Sequence, residues 1–193
     1  MKILLGSNSP RRSELLKMLG YDFTKAEITC NEDFNGIETQ NVATFLAEKK
    51  SLAYKNLQIG EVLITADTVV ISNEKILNKP ADKQEAEIML GELSNRKHLV
   101  VTGVCLRSLE NKVIFKCITE VIMEDISASE MNYYIKNYKP MDKAGSYGIQ
   151  EWIGLSKVSK IHGCYYNVMG LPTSKLYKAL VNEFDIWPLK MRQ

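Results

Sequence analysis

The chain has 193 residues, of which 45% are hydrophobic and 25% are charged, and these are ordinary values for a globular protein with a sizeable core. Its 25 Lys and Arg residues nearly balance its 23 Asp and Glu residues, for a formal net charge of +2. This balance excludes bulk binding to nucleic acid or to an anionic membrane, so any anion binding must be local. Because no apolar run approaches a signal-peptide core or a membrane span, we predict a cytoplasmic protein without membrane partners.

Nitrogen and sulfur ligands for a metal ion are sparse. The sequence has four cysteines, none in a Cys-x-x-Cys pair, and two histidines, His98 and His162. We predict reduced, mostly buried thiols and no structural zinc site. If the protein uses a metal ion, its carboxylates favour a hard divalent cation, magnesium or manganese.

The chain begins with a pattern typical of a buried strand, a polar loop and an amphipathic helix. Residues 2–5 form the apolar strand, Ser9 suits the N-cap and Pro10 the first helical position,. Arg11 and Arg12 then crowd the first turn, where the helix dipole makes each arginine unfavourable by about 0.3–1 kcal/mol unless an anion lies nearby.

This conflict indicates a phosphate site at the start of the helix. Ser7 and free backbone N–H groups would join the guanidinium groups of Arg11 and Arg12 around a polyanion. The spacing differs from a Walker A loop, since no Gly-Lys-Ser/Thr follows,. The alternative is an ordinary capped helix with solvated arginines.

A second strand and helix are predicted next. Residues 21–28 alternate loosely as a strand does, and the polar turn after them contains Glu32,. Asn41 can cap a helix over residues 42–55, on which Lys50 lies,. The predicted apolar stripe of this helix is Val42, Phe45, Leu46, Leu52 and Ala53.

A continuous apolar run over residues 62–70 predicts a strand that is covered on both faces,. Asp67 interrupts this run. An isolated buried carboxylate costs several kcal/mol, so Asp67 must be paired, hydrogen-bonded or metal-bound. The alternative is a carboxylate that accepts N–H groups at the strand end.

The following segment places a cation and an acid around a proline. Lys79 precedes Pro80 and is therefore held in extended backbone,. Asp82 is a good N-cap for a helix over residues 83–93, and capping alone would account for it,.

The remaining chain alternates strands, helices and two long loops. Ser127 and Glu130 fit a capping box,, and the long irregular segment 139–150 is typical of functional or mobile loops. The other predictions are a hairpin over 71–77, an antiparallel pair over 98–109 and 113–124, a helix over 127–137, a loop over 163–172 and a last helix from Pro172 past Phe184.

The candidate residues favour phosphate chemistry over acyl transfer. Neither histidine lies in a nucleophile-elbow context, which argues against a Ser-His-Asp hydrolase,. Cations beside carboxylates suit a phosphorylated substrate together with a divalent metal ion and an oriented water.

Several separated motifs together resemble the Maf family, in order and over essentially the whole chain. Glu151 and Trp152 depart from the glycine-containing continuation that the family has after Gln150. The matching stretches are Ser7-Asn8-Ser9-Pro10-Arg11-Arg12, Ala66-Asp67-Thr68-Val69-Val70, Lys79-Pro80-Ala81-Asp82, Thr102-Gly103-Val104, residues 142–150 (Asp-Lys-Ala-Gly-Ser-Tyr-Gly-Ile-Gln) and residues 167–172 (Asn-Val-Met-Gly-Leu-Pro).

The resemblance implies a fold and an activity. The fold would be α/β, a single Maf-like domain over residues 1–193 with an elongated mixed β-sheet flanked by helices and two lobes around a central cleft, similar to the inosine triphosphatase group. The activity would be hydrolysis of dTTP or UTP, ordinary or modified, to the monophosphate and pyrophosphate with a divalent metal cation. A homodimer is also implied.

The resemblance also implies roles for particular residues. Asp67 would be the general base, with Glu32 and Lys79 as further catalytic residues, and Glu32 and Asp67 would hold metal and water. Thr68 and Gln150 would recognise the base. The implied phosphate-binding residues are Ser7, Arg11, Arg12, Lys50, Lys79 and Asp82.

Two other functions remain open at this point. One is a regulator of cell division or septum formation that binds nucleotides with little catalysis. The other is a nucleotidyl- or phosphotransferase, which needs a second acceptor pocket.

Overall fold

The computed structural model of the chain describes residues 1–189. These residues form two compact units. The first unit contains residues 1–67, residues 102–117 and the chain from Gly170 onward. The second unit contains residues 68–101 and 118–169.

Helices and strands alternate along the chain, with short 3₁₀ turns at Thr39–Asn41, Pro140–Asp142 and Ala144–Ser146. In chain order, the elements are β1 (Lys2–Gly6), α1 (Pro10–Met18), β2 (Phe23–Lys25), α2 (Val42–Ala53), β3 (Glu61–Ser72), β4 (Lys75–Leu77), α3 (Lys83–Leu93), β5 (Lys97–Arg107), β6 (Lys112–Met123), α4 (Ala128–Tyr138), α5 (Trp152–Lys157), β7 (Val158–His162), α6 (Tyr165–Val168) and α7 (Thr173–Phe184).

The strands form one mixed sheet in the order β2-β1-β3-β5-β6-β7, with β4 paired to β3 outside this path. β1 runs parallel to β2 and β3, whereas the β3–β4 and β6–β7 pairs are antiparallel. The predicted mixed α/β class is confirmed. The apolar run of β3 is buried from Val62 to Ala66, as expected for an inner strand of a sheet that is covered on both faces.

In the first unit, two close contacts fix the position of α2. A Cβ atom on Gly103 would lie 2.4 Å from the backbone of Ala43 and Thr44, so only glycine lets α2 approach β5 this closely. The hydroxyl of Thr65 donates to the carbonyl oxygen of Ala47 at 2.7 Å. These contacts hold α2 against the sheet and set the register of its last turns, where Lys50 lies.

Some local predictions were wrong at their edges. The strand predicted over residues 21–28 is only Phe23–Lys25, because β1 offers Ile3 to Leu5 as its pairing partners. Leu52, which was predicted on the apolar stripe of α2, is 48% exposed. The buried face of α2 continues through Ala47 and Ser51, four residues apart, and Leu52 lies one position beyond it,.

Two further differences concern apolar and sulfur-containing residues. Met18, whose place three residues after the buried Leu15 would put it on the apolar face of α1, is 67% exposed. Cys105 is buried, whereas the other three free cysteines are half-buried, so burial is complete at one of the four thiols. Among residues 1–189, no helix is both long and apolar enough to cross a bilayer.

Three elements were not predicted: α5, β7 and the short helix α6, which lies within the segment predicted as a loop over residues 163–172. α5 and β7 follow Gln150 and extend the second unit. The sequence of α5 has a central glycine, Gly154, and Glu151 at its N-cap, which is a weak helix signal. By contrast, the predicted β3–β4 hairpin is confirmed, with Asn73 and Glu74 at positive φ in its turn,.

Candidate functional site

Ser7 orders the loop that leads from β1 into α1. Ser9 stands at the N-cap of α1 and Pro10 at its first position, as predicted. The backbone N–H of Ser9 donates to the hydroxyl oxygen of Ser7 at 3.2 Å. The predicted phosphate loop is therefore a defined turn at the start of a helix.

Arg12 reaches from α1 to three oxygen atoms of the first unit. Its Nη1 group donates to Ser7 Oγ at 3.2 Å and to the carbonyl oxygen of Ala66 at 2.8 Å. Its Nε group donates to the carbonyl oxygen of Gly170 at 2.8 Å. Because Ala66 directly precedes Asp67, this guanidinium ties the phosphate loop to the candidate base.

The charge of Arg12 survives its burial. Desolvation lowers the pKa of Arg12, attraction from Asp67 opposes this effect, and repulsion from Arg11 adds to it. Arginine nevertheless stays protonated in proteins. The first turn of α1 therefore carries two positive charges, as a phosphate-binding surface requires.

Lys50 joins Glu32 and Asp67 in a cluster that we call the acid–lysine cluster. Its ammonium Nζ donates to Asp67 Oδ1 at 2.5 Å and lies 3.0 Å from Glu32 Oε1. The Lys50 and Asp67 side chains are only 15% and 14% exposed, whereas Glu32 is 55% exposed. The structure thus brings these three predicted site residues together.

The electrostatics of the cluster keep Lys50 charged. Burial disfavours the ammonium group, but attraction from Asp67 and hydrogen bonds to Asp67 and Glu32 outweigh it and raise the pKa of Lys50,. A lysine with a raised pKa is a cation throughout the physiological range. The cluster accordingly combines a permanent positive charge with two carboxylate groups.

The neighbouring residues Lys49 and Asp33 form a separate contact. Lys49 Nζ donates to the backbone carbonyl oxygen of Asp33 at 2.8 Å and lies over the ring of Phe45, 5.5 Å from its centroid. The Asp33 carboxylate accepts the N–H of Asn35 at 3.0 Å. These contacts lie outside the acid–lysine cluster.

The donor atoms of the cluster suit a hard divalent cation. Glu32 and Asp67 converge on one point, the Lys50 ammonium group, and magnesium commonly uses one or two carboxylates together with water and substrate phosphates. In the part of the chain that the structure describes, no three His, Cys, Asp or Glu side chains form a metal-binding group. The pair fits a metal ion shared with a phosphorylated ligand, and not a closed structural site.

The other predicted site residues belong to the second unit. Lys79 is exposed before Pro80, and Asp82 caps α3 by accepting the Glu85 N–H at 2.9 Å. Capping accounts for the place of Asp82 in the fold, and phosphate contacts of Lys79 and Asp82 stay predictions. Thr68 is half-buried in β3.

Gln150 presents a buried acceptor. Its side chain is half-buried, yet its Oε1 atom is fully buried and has no hydrogen-bond partner within residues 1–189. Buried polar atoms are normally paired, so this oxygen is a candidate acceptor for a ligand N–H group.

The surroundings of Gln150 contain residues to which the sequence pattern gave no role. Tyr134 and Lys143 are buried, and both contact Glu151. One signal was available for Tyr134, because a tyrosine in the buried stripe of a helix needs a partner for its hydroxyl group. The identity of that partner was not readable from the sequence.

The two histidines have other environments. His98 is buried in β5, with its Nε2 atom 2.7 Å from the Tyr147 hydroxyl oxygen. Burial lowers the pKa of His98 to about 4, which makes it a neutral structural imidazole at physiological pH. His162 is exposed on β7.

Comparison with known proteins gives a family and a set of named relatives. A sequence profile described as Maf-like protein matches residues 2–183. A "dTTP/UTP pyrophosphatase" from Bacteroides fragilis is 46% identical over 183 residues, which cover 93% of this chain and 94% of the relative. Proteins of the same name from Porphyromonas gingivalis and Flavobacterium psychrophilum are 47% and 44% identical, over 93% and 94% of this chain and 92% and 94% of the relatives.

Proposed function

The chain belongs to the Maf family, and on this premise we propose that it is a nucleoside triphosphate pyrophosphatase. It hydrolyses dTTP and UTP, or modified forms of them, to the nucleoside monophosphate and pyrophosphate. The names of relatives at 44–47% identity over most of the chain support the reaction and the substrates. The observation that carries the proposal is the acid–lysine cluster, where two carboxylates share one lysine beside the loop of Arg11 and Arg12.

Asp67 is the proposed general base. It takes a proton from a water molecule, whose oxygen attacks the α-phosphorus while the bond from that phosphorus to the bridging oxygen breaks. Pyrophosphate leaves with the bonding electron pair. Glu32 and Asp67 would hold a magnesium or manganese ion, which supplies charge neutralisation and water activation when bound. Lys50 keeps the Asp67 carboxylate oriented through its 2.5 Å contact.

The basic residues bind the phosphate groups and stabilise the departing pyrophosphate. Arg11 and Arg12 offer fixed positive charge at the N-terminus of α1, where the helix dipole adds to their attraction for an anion. Ser7 contributes a hydroxyl group to the same loop. By resemblance to the family, Lys79 and Asp82 are also proposed to bind the phosphate groups. Lys79 is further proposed to take part in catalysis.

Thr68 and Gln150 are the proposed contacts to the base. Thymine and uracil carry an N–H donor at position 3, which the buried Oε1 of Gln150 can accept,. Cytosine carries an acceptor at that position, which repels the Gln150 oxygen, so binding cytosine would require the amide to turn out of this orientation. We therefore expect dCTP to be a poorer substrate than dTTP.

Product analysis tests the proposal. The purified chain is incubated with a panel of nucleoside triphosphates and magnesium or manganese, and the products are identified. Monophosphate and pyrophosphate from dTTP and UTP support it, whereas release of orthophosphate contradicts it. Binding without turnover would favour a nucleotide-binding regulator of cell division.

Family resemblance also supports a cytoplasmic homodimer. Sedimentation of the purified chain tests the assembly, and a monomer at all concentrations would contradict it. Fractionation of cells tests the location.

A further inference from the structure

Gln150 lies within a closed turn. The backbone N–H of Glu151 donates to the carbonyl oxygen of Gly148 at 3.0 Å, which makes residues 148–151 a β-turn with Ile149 and Gln150 at its centre. The orientation of the Gln150 side chain therefore depends on what holds the two ends of this turn.

One buried hydroxyl group binds both ends of the turn. Tyr134 extends from α4, and its hydroxyl oxygen accepts the N–H of Gly148 at 3.0 Å. The same hydroxyl donates to Oε2 of Glu151 in a short hydrogen bond. Burial, followed by the hydrogen bond with Glu151, raises the pKa of Tyr134, so this hydroxyl keeps its proton and its role as a donor.

A buried lysine binds the other oxygen of Glu151. Lys143 Nζ lies 3.1 Å from Glu151 Oε1, and the Lys143 side chain is only 8% exposed. Its second partner is the Asp142 carboxylate at 2.7 Å. Asp142 is 54% exposed and Glu151 only 18%, so Glu151 is the more buried of the two anions that compensate Lys143, and its loss would leave this lysine with an exposed partner alone.

Glycine at position 148 makes room for this carboxylate. A Cβ atom there would lie 2.8 Å from Cδ of Glu151, so the carboxylate group packs directly on the turn backbone. The neighbouring chain is also held, since the Gly145 N–H donates to Asn78 O at 3.2 Å. Tyr134 and Lys143 thus fix the turn itself, and Asn78 fixes the chain that leads into it.

We infer that Glu151, held by Tyr134 and Lys143, is a positioning residue that orients the Gln150 amide for recognition of thymine and uracil nucleotides. This inference rests on the proposed function, because it concerns the base contact of that reaction. Glu151 itself touches the turn and not the reacting atoms. Its loss should therefore alter base preference and binding more than the chemical step.

Glu151→Gln tests the inference, because it keeps the size of the side chain and removes its charge. We expect about a 10-fold higher KM for dTTP, with kcat changed by about twofold at most. The preference for dTTP over dGTP in kcat/KM should fall by about the same factor. Tyr134→Phe should act in the same direction.

A double-mutant cycle separates positioning from general damage to the fold. In a Gln150→Ala background, Glu151→Gln should cause no further change in base preference if Glu151 acts through Gln150. Glu130→Gln is the matched control, because Glu130 also forms an ion pair with a lysine of the same unit, Lys157 at 2.5 Å, and its partners, Lys157 and Ser127, lie outside residues 148–151. This control should keep the dTTP preference of the original chain.

Calorimetric binding of dTMP and dGMP gives a readout that does not need turnover. An original chain that fails to hydrolyse dTTP would contradict the proposed function, while its dTMP affinity still tests the inference. We expect preferential dTMP binding that weakens about 10-fold in Glu151→Gln. An original chain without dTMP preference, an unchanged preference in Glu151→Gln, or an equal effect with and without Gln150 would each overturn the inference.

Discussion

The acid–lysine cluster and the turn over residues 148–151 each involve a largely buried lysine that pairs with two carboxylates, but they differ in what else holds those carboxylates. In the cluster, one lysine balances two carboxylates, and one of these, Glu32, is 55% exposed. In the turn, a buried tyrosine hydroxyl and a buried lysine fix a carboxylate that packs on the backbone. The first arrangement suits charged groups that a ligand or metal ion can rearrange, and the second suits a fixed hydrogen-bonding surface. The two regions thus suit the roles proposed for them, the first in the chemical step and the second in base recognition.

The largest expected effect comes from Asp67→Asn, which removes the proposed general base from the acid–lysine cluster. Loss of the base and of one carboxylate should lower kcat for dTTP by about 10²–10³-fold, the size of one preorganised electrostatic group. Steady-state kinetics measure this effect, with circular dichroism as the check on folding. Near-normal turnover would contradict the role of Asp67.

The next effect is a pH dependence of folding stability that comes from His98, which contacts Tyr147 just before the turn. Burial lowers the pKa of His98 in the folded chain to about 4, whereas its ordinary value is about 6.5. As the pH falls below about 6.5, the His98 imidazole is therefore protonated in the unfolded chain before it is protonated in the folded chain. Its contribution to stability is present above pH 6.5 and falls by about 3 kcal/mol as the pH drops to about 4.

His98→Gln removes this titration and can still pair with the Tyr147 hydroxyl group. Urea unfolding of both chains between pH 7 and pH 4 measures the difference. The variant should lose less stability with falling pH, and parallel pH profiles would count against the assignment.

Gly103→Ala tests whether the close packing of α2 on β5 keeps Lys50 in the acid–lysine cluster. The added methyl group meets the backbone of Ala43 at 2.4 Å, so we expect a loss of about 1–3 kcal/mol in the free energy of unfolding. Because the clash displaces α2, which carries Lys50, kcat should fall while base preference holds. Gly91→Ala is a suitable control, since a Cβ atom on Gly91 meets nothing within 4 Å. Equal stability of the two variants would contradict the packing argument.

The smallest expected effect is that of Thr65→Val. This change removes the hydrogen bond to Ala47 O at nearly constant volume and should cost about 1 kcal/mol of unfolding free energy. A chemical denaturation curve measures it. No loss of stability would show that Gly103 alone fixes α2.

The charged cluster was largely predictable from the sequence. Two arginines in a helical first turn and an aspartate in an apolar strand each violate a local preference, and functional sites are where such violations collect. The structure brings Asp67 to Lys50, only 17 residues before it in the chain. Local rules also predicted the Ser127–Glu130 capping box, which is confirmed.

The contacts that hold the side chains of both regions in place were not predictable from the sequence, because they depend on tertiary packing. The Arg12 side chain bonds to Ala66 and Gly170, which are 54 and 158 residues away. Tyr134 reaches Gly148 only because α4 packs beside a turn that lacks regular periodicity. A hydrophobic pattern specifies that Tyr134 is buried, and it does not specify which polar group the hydroxyl group meets.

We propose that Asp67 serves the chemical step and that Gln150 serves base recognition, and kcat/KM for dTTP and dGTP in Asp67→Asn and Gln150→Ala separates these two roles. We expect Asp67→Asn to lower both values by a similar factor, so that their ratio is kept. We expect Gln150→Ala to lower the ratio and largely preserve kcat. An unchanged ratio in Gln150→Ala, or a changed ratio with near-normal kcat in Asp67→Asn, would contradict the proposal.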